Sequence, residues 1–226
     1  MVLFFTPGMG FAAPFGVMTV TSAKVWEAPA SNWKDLQTQL LEAGYSKLFQ
    51  MKDVQTVENL WDSGKNVEDL KALILAPEAD EAARFLAGNL LLSHHLELED
   101  GLSKKMLAEA FAKALVATKD PQGALVGLAG NAWCYPFEPG PLEMLGQRML
   151  SLGDPAVNAL SRLLEDTDPL PYEGSEEATL AEGHQVRVKD VATTIICKIR
   201  NFEWEWSEKA IVRDASIGFM RQHLGF

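Results

Sequence analysis

The sequence lacks the motifs by which many enzymes and metalloproteins are recognised. It contains only two cysteines, Cys134 and Cys197, and their placement fits neither a disulfide framework nor a zinc site. It has no phosphate-binding glycine loop, no catalytic triad pattern and no EF-hand spacing. We therefore predict no cofactor, no metal ligand and no catalytic residue from motifs. Cys197 falls within a predicted helix, so we interpret it as a small buried hydrophobic residue. Cys134 lies in an aromatic loop, and for this residue a role as a nucleophile is an open alternative.

Basic residues are also scarce. The chain has 20 Lys and Arg against 31 Asp and Glu, a formal net charge of −11, and it contains no run of basic residues. A negative field of this size repels the phosphate backbone of nucleic acids. Nucleic acid is therefore not expected as a partner. We expect instead a protein or peptide partner of basic character.

Charge of either sign is missing from residues 1 to 23. A secretory signal would have a basic start, and a membrane span would need a long apolar run, which Pro7, Gly8 and Pro14 interrupt. We interpret residues 1–30 as an irregular or strand-like segment, with a β-branched run at 17–25. A cytoplasmic protein with no membrane span is expected, while export of a chain with a removable leader remains the alternative.

Helical periodicity is abundant in the rest of the chain. Its 226 residues, of which 47% are hydrophobic, are enough for one domain with its own core. We assign residues 31–226 to a single α-helical domain, with helices capped by Asn32, Asp53 and Asn66 and further helices at 103–118, 123–130, 142–152 and 207–224. In the last helix the predicted buried residues are Ile211, Ala215, Phe219 and Met220.

Two amphipathic segments between Asp154 and Ile199 predict a helical hairpin. Asp154 and Pro155 are typical of a helix start, and an apolar stripe follows: Val157, Leu160, Leu163 and Leu164. The second segment has the same character, with Val188, Ala192, Ile195, Ile196 and Ile199 on one face. Neither stripe can be buried by its own helix, so the two helices should pack together.

At these residues the chain resembles the HEAT repeat family, whose units pair a helix of the Asp-Pro…Leu..Leu-Leu-x-Asp kind with one of the Val-Arg…Ala..Ala-Leu..Ile kind. Val188-Lys189 stands where the family has Val-Arg. A second match occurs where Ala83-Arg84 is followed by Ala87 and Leu90-Leu91. The resemblance implies an all-α fold, a HEAT-like α-α superhelix of stacked hairpins, and by family habit a scaffold that binds proteins.

The segment around His94 and His95 contains three carboxylates and could suggest a metal site. Adjacent residues on a helix diverge by about 100 degrees, so the two histidines cannot both face one ion. We interpret the pair as a helix C-terminus, where histidine meets the negative end of the helix dipole, followed by a solvated acidic turn.

A stiff aromatic loop provides one set of candidate binding residues: Trp133, Tyr135 and Phe137. If exposed, such a surface binds partners at low entropic cost. A loop packed over the core would have the same sequence, and this second interpretation is slightly favoured.

The second set lies in an insertion at 167–185, which separates the two helices of the hairpin by far more than the short turn of the HEAT family. Its candidate binding residues are Tyr172, Glu173, Glu176, Glu177 and His184. A solvated acidic loop is the favoured interpretation, although residues 175–178 could begin a short helical turn. Long loops of this kind are often functional or disordered.

Two functions follow from these features. The preferred one is a non-enzymatic protein-protein interaction or scaffold module. The alternative is an enzyme or a metal-dependent site formed by the acidic insertion with His184, assisted by Tyr172 or Cys134. The position of the insertion in three dimensions should discriminate between them.

Overall fold

The structure is a computed structural model that describes residues 32–96, 98, 100–136, 142–204 and 206–226. Within these ranges the chain forms ten α-helices and no β-strand, so the all-α prediction is confirmed. The predicted irregular segment at 1–30 lies outside the described residues. None of the described helices is long and apolar enough to cross a membrane.

The helices follow one another closely along the chain. They are α1 (Trp33–Tyr45), α2 (Val54–Trp61), α3 (Val67–Leu75), α4 (Glu81–Ser93), α5 (Gly101–Ala117), α6 (Met144–Leu152), α7 (Asp154–Leu160), α8 (Ser175–His184), α9 (Val188–Ile199) and α10 (Ala210–Leu224).

Short aspartate side chains begin three of these helices. Asp53 accepts hydrogen bonds from the backbone N–H groups of Gln55 and Thr56, as the sequence predicts. Asp100 caps α5 in the same way. Asp80 caps α4, since its side chain accepts hydrogen bonds from the backbone N–H groups of Ala82 and Ala83. Each cap satisfies backbone donors that the first helical turn leaves without partners.

The core consists of helices that pack mainly on near neighbours in the sequence. Helix α3 packs on α4, α4 on α5, α5 on α7, and α7 on α9. Phe85 of α4 meets Phe111 of α5 edge to face at 4.9 Å, and Phe111 in turn lies 6.3 Å from Trp133. The predicted hairpin is therefore present, since the facing residues Val157, Leu160, Val188 and Ile195 are all fully buried.

The helix predicted at 123–130 does not form. Single 3-10 turns occur at Gly123–Leu125 and Gly130–Ala132, separated by irregular backbone. Gly123 and Gly127 have φ angles of +55° and +88°, which glycine adopts without the steric cost that other residues meet. The two glycines thus allow the chain to change direction in this segment.

The buried face of α10 also differs from the prediction. Of the four residues expected inside, Met220 is buried, whereas Ile211, Ala215 and Phe219 are exposed. The residues that turn inward are Arg213, Ile217 and Met220. Arg213 determines this orientation because its guanidinium has buried partners, described below, that the spacing of apolar residues does not reveal.

Candidate binding groove at the insertion

The insertion is folded and hydrogen-bonded to the rest of the domain, whereas the sequence favours a solvated loop. Residues 168–170 run beside 186–188, with hydrogen bonds from Leu170 N–H to the Val186 carbonyl (2.9 Å) and from Val188 N–H to the Asp168 carbonyl (3.1 Å). Helix α8 then occupies ten residues where only a short helical turn was considered. The α7–α9 hairpin consequently carries an extra helix between its two members.

Two contacts join the insertion to the turn at 130–132. Gly130 N–H donates to the Pro171 carbonyl at 2.8 Å. Asn131 uses both ends of its amide on Glu173: its Oδ1 accepts from the Glu173 N–H at 2.6 Å, and its Nδ2 donates to the Glu173 carbonyl at 2.9 Å. The backbone at 171–173 is therefore held from the side opposite α8.

The aromatic residues expected to bind a partner are mostly used for packing. Trp133 is fully buried and its indole N–H donates to Thr118 Oγ1 at 3.1 Å. Tyr172 is also buried, and its ring lies where a side chain on Gly130 would stand. Tyr135 is 37% exposed. Phe137 lies outside the described residues.

Burial makes the neighbouring thiol and phenol poor nucleophiles. Cys134 Sγ lies 3.6 Å from the Tyr172 hydroxyl. Loss of hydration raises the pKa of Cys134 to about 12 and raises the pKa of Tyr172 well above its usual value. At neutral pH both groups are protonated, whereas a nucleophilic cysteine needs the thiolate.

A groove of about 520 Å³ opens beside α8. We call it the insertion groove and define it by the residues that line it: Lys119, Pro169, Leu170, Pro171, Tyr172, Ala178, Ala181, Glu182, Gln185 and Val186. Most of these side chains are apolar, and all except Lys119 belong to the insertion or to the residue directly after it. Its volume lies in the range of sites that hold small ligands or single side chains of a partner.

This groove belongs to a segment rich in carboxylates. Glu182 lines it, and Glu173, Glu176 and Glu177 precede or begin α8. Glu173 and Glu176 are exposed and Glu177 is half-buried. Glu173 accepts a hydrogen bond from Gln50 at 3.3 Å, but none of the four makes a salt bridge with a described residue. Glu182 therefore gives the groove lining a negative charge without a salt-bridge partner among the described residues, and the other three carboxylates add to the negative charge of the insertion.

The single cation in the groove is already paired. Lys119 Nζ lies 2.7 Å from Asp168 Oδ2 and 3.1 Å from Asp166 Oδ2. The hydrogen bonds to Asp168 and Asp166 raise the pKa of Lys119. Since two carboxylates share one ammonium, this side of the groove is also net negative.

A buried arginine holds the C-terminal end of α8. Arg213 donates to the carbonyls of His184 (2.7 Å) and Gln185 (2.9 Å), which are among the carbonyls that a helix end leaves free. The same guanidinium stacks on Trp206, 4.7 Å from the ring centroid. Arg213 thereby links α8 to α10 and to the aromatic segment at 202–206.

His184 does not join the glutamates in a metal site. Its Nδ1 lies 3.1 Å from the Pro136 carbonyl, within the aromatic loop. The described residues contain no group of three or more His, Cys, Asp or Glu side chains suited to hold a metal ion. His94 ends α4 and stacks on Trp61 at 3.8 Å, which agrees with the helix-terminus interpretation of the histidine pair.

Several residues of the groove were missed from the sequence. Leu170, Ala178, Ala181 and Val186 do not form a recognisable pattern, because they become neighbours only when the insertion folds back on itself. Lys119 comes from the end of α5 and is distant in the chain. The prolines and glycines of the insertion predicted a loop, so the sequence did not indicate the full length of helix α8.

Comparisons with known proteins found no similar family, protein or structure. No protein-family model matches the chain, and neither a curated protein nor a solved structure is significantly similar to it.

Proposed function

We propose that this protein is a non-enzymatic protein-interaction module, built from HEAT-like helical hairpins, that binds a basic peptide segment of a partner in the insertion groove. The observation that carries the proposal is an apolar groove lined by Glu182, which has no salt-bridge partner among the described residues, and bordered at Lys119 by the carboxylates of Asp166 and Asp168. A peptide with an apolar anchor residue beside Lys or Arg would match both properties.

The packing pattern supports the HEAT-like part of the proposal. Contacts between helices of neighbouring sequence position are what a stacked array of hairpins requires, since each unit buries its apolar face on the next. The hairpin α7–α9 and the segment at 83–91 carry the family-like residues. The inserted α8 gives one hairpin a surface that the shared pattern does not have.

The groove chemistry favours binding over catalysis. The raised pKa of Cys134 removes the nearest candidate nucleophile, and the rim glutamates are not gathered with a histidine or cysteine into a metal-binding group within the described residues. Acidic rims mainly steer and select partners, and their contribution weakens as salt screens it.

A random peptide library displayed on phage, selected on the whole chain, tests this function. We expect enriched peptides to contain Lys or Arg beside a large apolar residue. Their binding should fall roughly tenfold or more in Ala178→Trp, which fills the groove, and should weaken with added salt. Ala178 is half-buried and lines the groove, so the tryptophan enters the groove and not the core.

A charge-matched pair of variants separates the rim from general electrostatics. Glu182→Gln should weaken binding, whereas Glu78→Gln, at an exposed site away from the groove, should leave it unchanged. Selected peptides without basic residues, or equal binding by wild type and Ala178→Trp, would overturn the proposal.

A further inference from the structure

A second cavity, which shares no lining residue with the insertion groove, lies between α2, α4 and α6. Its volume is about 380 Å³. The apolar part of its wall includes Phe49, Val57, Leu90 and Met144, and its polar part includes Ser93 and Arg148. We call it the Arg148 pocket.

Arg148 is half-buried and has fewer protein partners than the buried arginines Arg84 and Arg213, and the third buried arginine, Arg187, pairs with Asp190 and Asp214. Arg84 donates to the carbonyls of Ile74 (2.9 Å) and Ala76 (2.7 Å) and pairs with Glu81 at 2.8 Å. Arg213 has Asp190 and four carbonyl contacts. The guanidiniums of Arg84 and Arg213 thus each have a carboxylate and at least two carbonyl oxygens as partners, although Arg213 Nε contacts Asp190 without forming a hydrogen bond.

For Arg148 the geometry is different. Its Nη2 donates to Ser93 Oγ at 2.9 Å, whereas its Nη1 is buried and makes no hydrogen bond with the described residues. No described carboxylate forms a salt bridge with it. Burial lowers the pKa of Arg148 to about 10, and the influence of nearby Tyr45 only partly offsets this. A charged donor without an acceptor is costly inside a protein, so an anion placed at Nη1 would gain a charge-assisted hydrogen bond.

The surroundings of Arg148 specify the rest of the ligand. The guanidinium lies 6.0 Å from the centroid of the Phe49 ring, at the boundary between the polar and apolar parts of the pocket. Lys52 also lines the pocket and makes no salt bridge with a described residue, while Glu58 is the acidic side chain on the wall. Beside the pocket, Met51 and Val54 are 67% and 72% exposed.

We propose that the Arg148 pocket binds a small organic anion, with its oxyanion head on Arg148 Nη1 and Ser93 Oγ and its apolar body against Phe49, Val57 and Met144. Carboxylate and phosphate oxygens both fit a guanidinium. The cavity volume suits a ligand of modest size, since pockets of a few hundred Å³ hold one such molecule.

Calorimetric titration of the whole chain with decanoate, decyl phosphate and decanol tests the site. The apolar bodies of the three probes differ by at most one methylene group, so the head group is their main difference. We expect decanoate or decyl phosphate to bind about tenfold or more tightly than decanol, and their order identifies the preferred head. Inorganic phosphate alone should bind weakly because it lacks the apolar body.

Arg148→Met should remove the advantage of the anionic probes and leave decanol binding nearly unchanged. Arg162→Met, at an exposed arginine outside the pocket, is the matched control. Thermal unfolding separates the site from a structural role: Arg148→Met should leave the midpoint unchanged or raise it, whereas Arg84→Met should lower it. A lowered midpoint in Arg148→Met, or equal affinity for decanoate, decyl phosphate and decanol in the wild type, would overturn the proposal.

Discussion

Arg213 and Asp190 form an ion pair in which both side chains are fully buried, with Arg213 Nε and Asp190 Oδ1 3.1 Å apart. Asp190 also accepts hydrogen bonds from the backbone N–H and the guanidinium of Arg187. This cluster joins the start of α9 to α10, and through the carbonyl contacts of Arg213 it also holds the end of α8 beside the insertion groove.

Arg213→Met should strongly destabilise the protein. The substitution leaves a buried carboxylate with half of its cationic partners, and breaking a buried pair from one side costs about 3–5 kcal/mol. Urea unfolding followed by circular dichroism measures the loss. Lys65→Met is the control, because it breaks an exposed pair with Asp62 at 3.1 Å and should cost less than about 1 kcal/mol. A loss of that small size in Arg213→Met would contradict the prediction.

Acid should weaken the same cluster through Asp214. Burial acts to raise the pKa of Asp214, but hydrogen bonds from Arg187 and Lys189 outweigh it and lower the pKa. A carboxyl group with a lowered folded-state pKa stabilises the fold above its unfolded pKa, about 4, and loses that contribution as pH falls through the folded value. The free energy of unfolding should therefore decrease below about pH 4.

Asp214→Asn tests the assignment of that acid sensitivity. The variant should be less stable than the wild type at pH 7, and the difference between the two should shrink as the pH is lowered below about 4. Parallel urea titrations across this range measure both. A constant difference between the two proteins over the whole range would show that Asp214 does not contribute to the pH dependence.

Two glycines should respond in opposite directions to alanine. A Cβ on Gly146 would clash with the backbone oxygen of Trp133, so Gly146→Ala forces α6 away from the bridge between Cys134 and Leu142. We expect a loss of about 1–3 kcal/mol, typical of overpacking. A Cβ on Gly183, within α8, meets nothing within 4 Å, so Gly183→Ala should be neutral or stabilise by up to about 1 kcal/mol.

Thermal melts of the two glycine variants provide the measurement. The Gly183→Ala result also bears on α8, because a gain is expected only if residue 183 is helical. Destabilisation by Gly183→Ala comparable to that of Gly146→Ala would contradict the position of α8 described above.

Both cysteines should resist alkylation in the folded protein. Cys134 and Cys197 are buried, and loss of hydration raises the pKa of each thiol to about 12. At pH 8 we expect iodoacetamide to label neither at an appreciable rate until denaturant is added, since the thiolate is the reactive form. Mass spectrometry after a timed reaction measures the labelling. Rapid modification of Cys134 in the native protein would reopen the nucleophile interpretation of that residue.

Local features were the most predictable part of this fold. Helix existence follows from apolar periodicity and from cap residues, both of which act within a few neighbouring positions. Asp53 and the apolar stripes of α7 and α9 are examples, since their roles require no knowledge of distant residues. The HEAT-like arrangement itself stays a prediction.

The errors fall where a distant partner decides the outcome. An apolar stripe of Ile211, Ala215 and Phe219 predicted the wrong buried face for α10, because Arg213 on another face has fixed partners near residues 184 and 190. The placement of Tyr172 also depends on a distant residue: it stays a candidate binding residue that lines the insertion groove, and the absence of a side chain at Gly130 allows its ring to pack inside. Neither relationship has a signature in sequence spacing.

The sequence by itself determined an acidic, all-α chain whose apolar stripes require several helices to pack together, because composition and periodicity are properties of neighbouring residues. Only the tertiary structure decided that the insertion forms α8 with an apolar groove, and that Arg148 lies in a cavity without a carboxylate partner among the described residues. Those features depend on which distant side chains meet, and burial makes the presence or absence of each partner matter energetically.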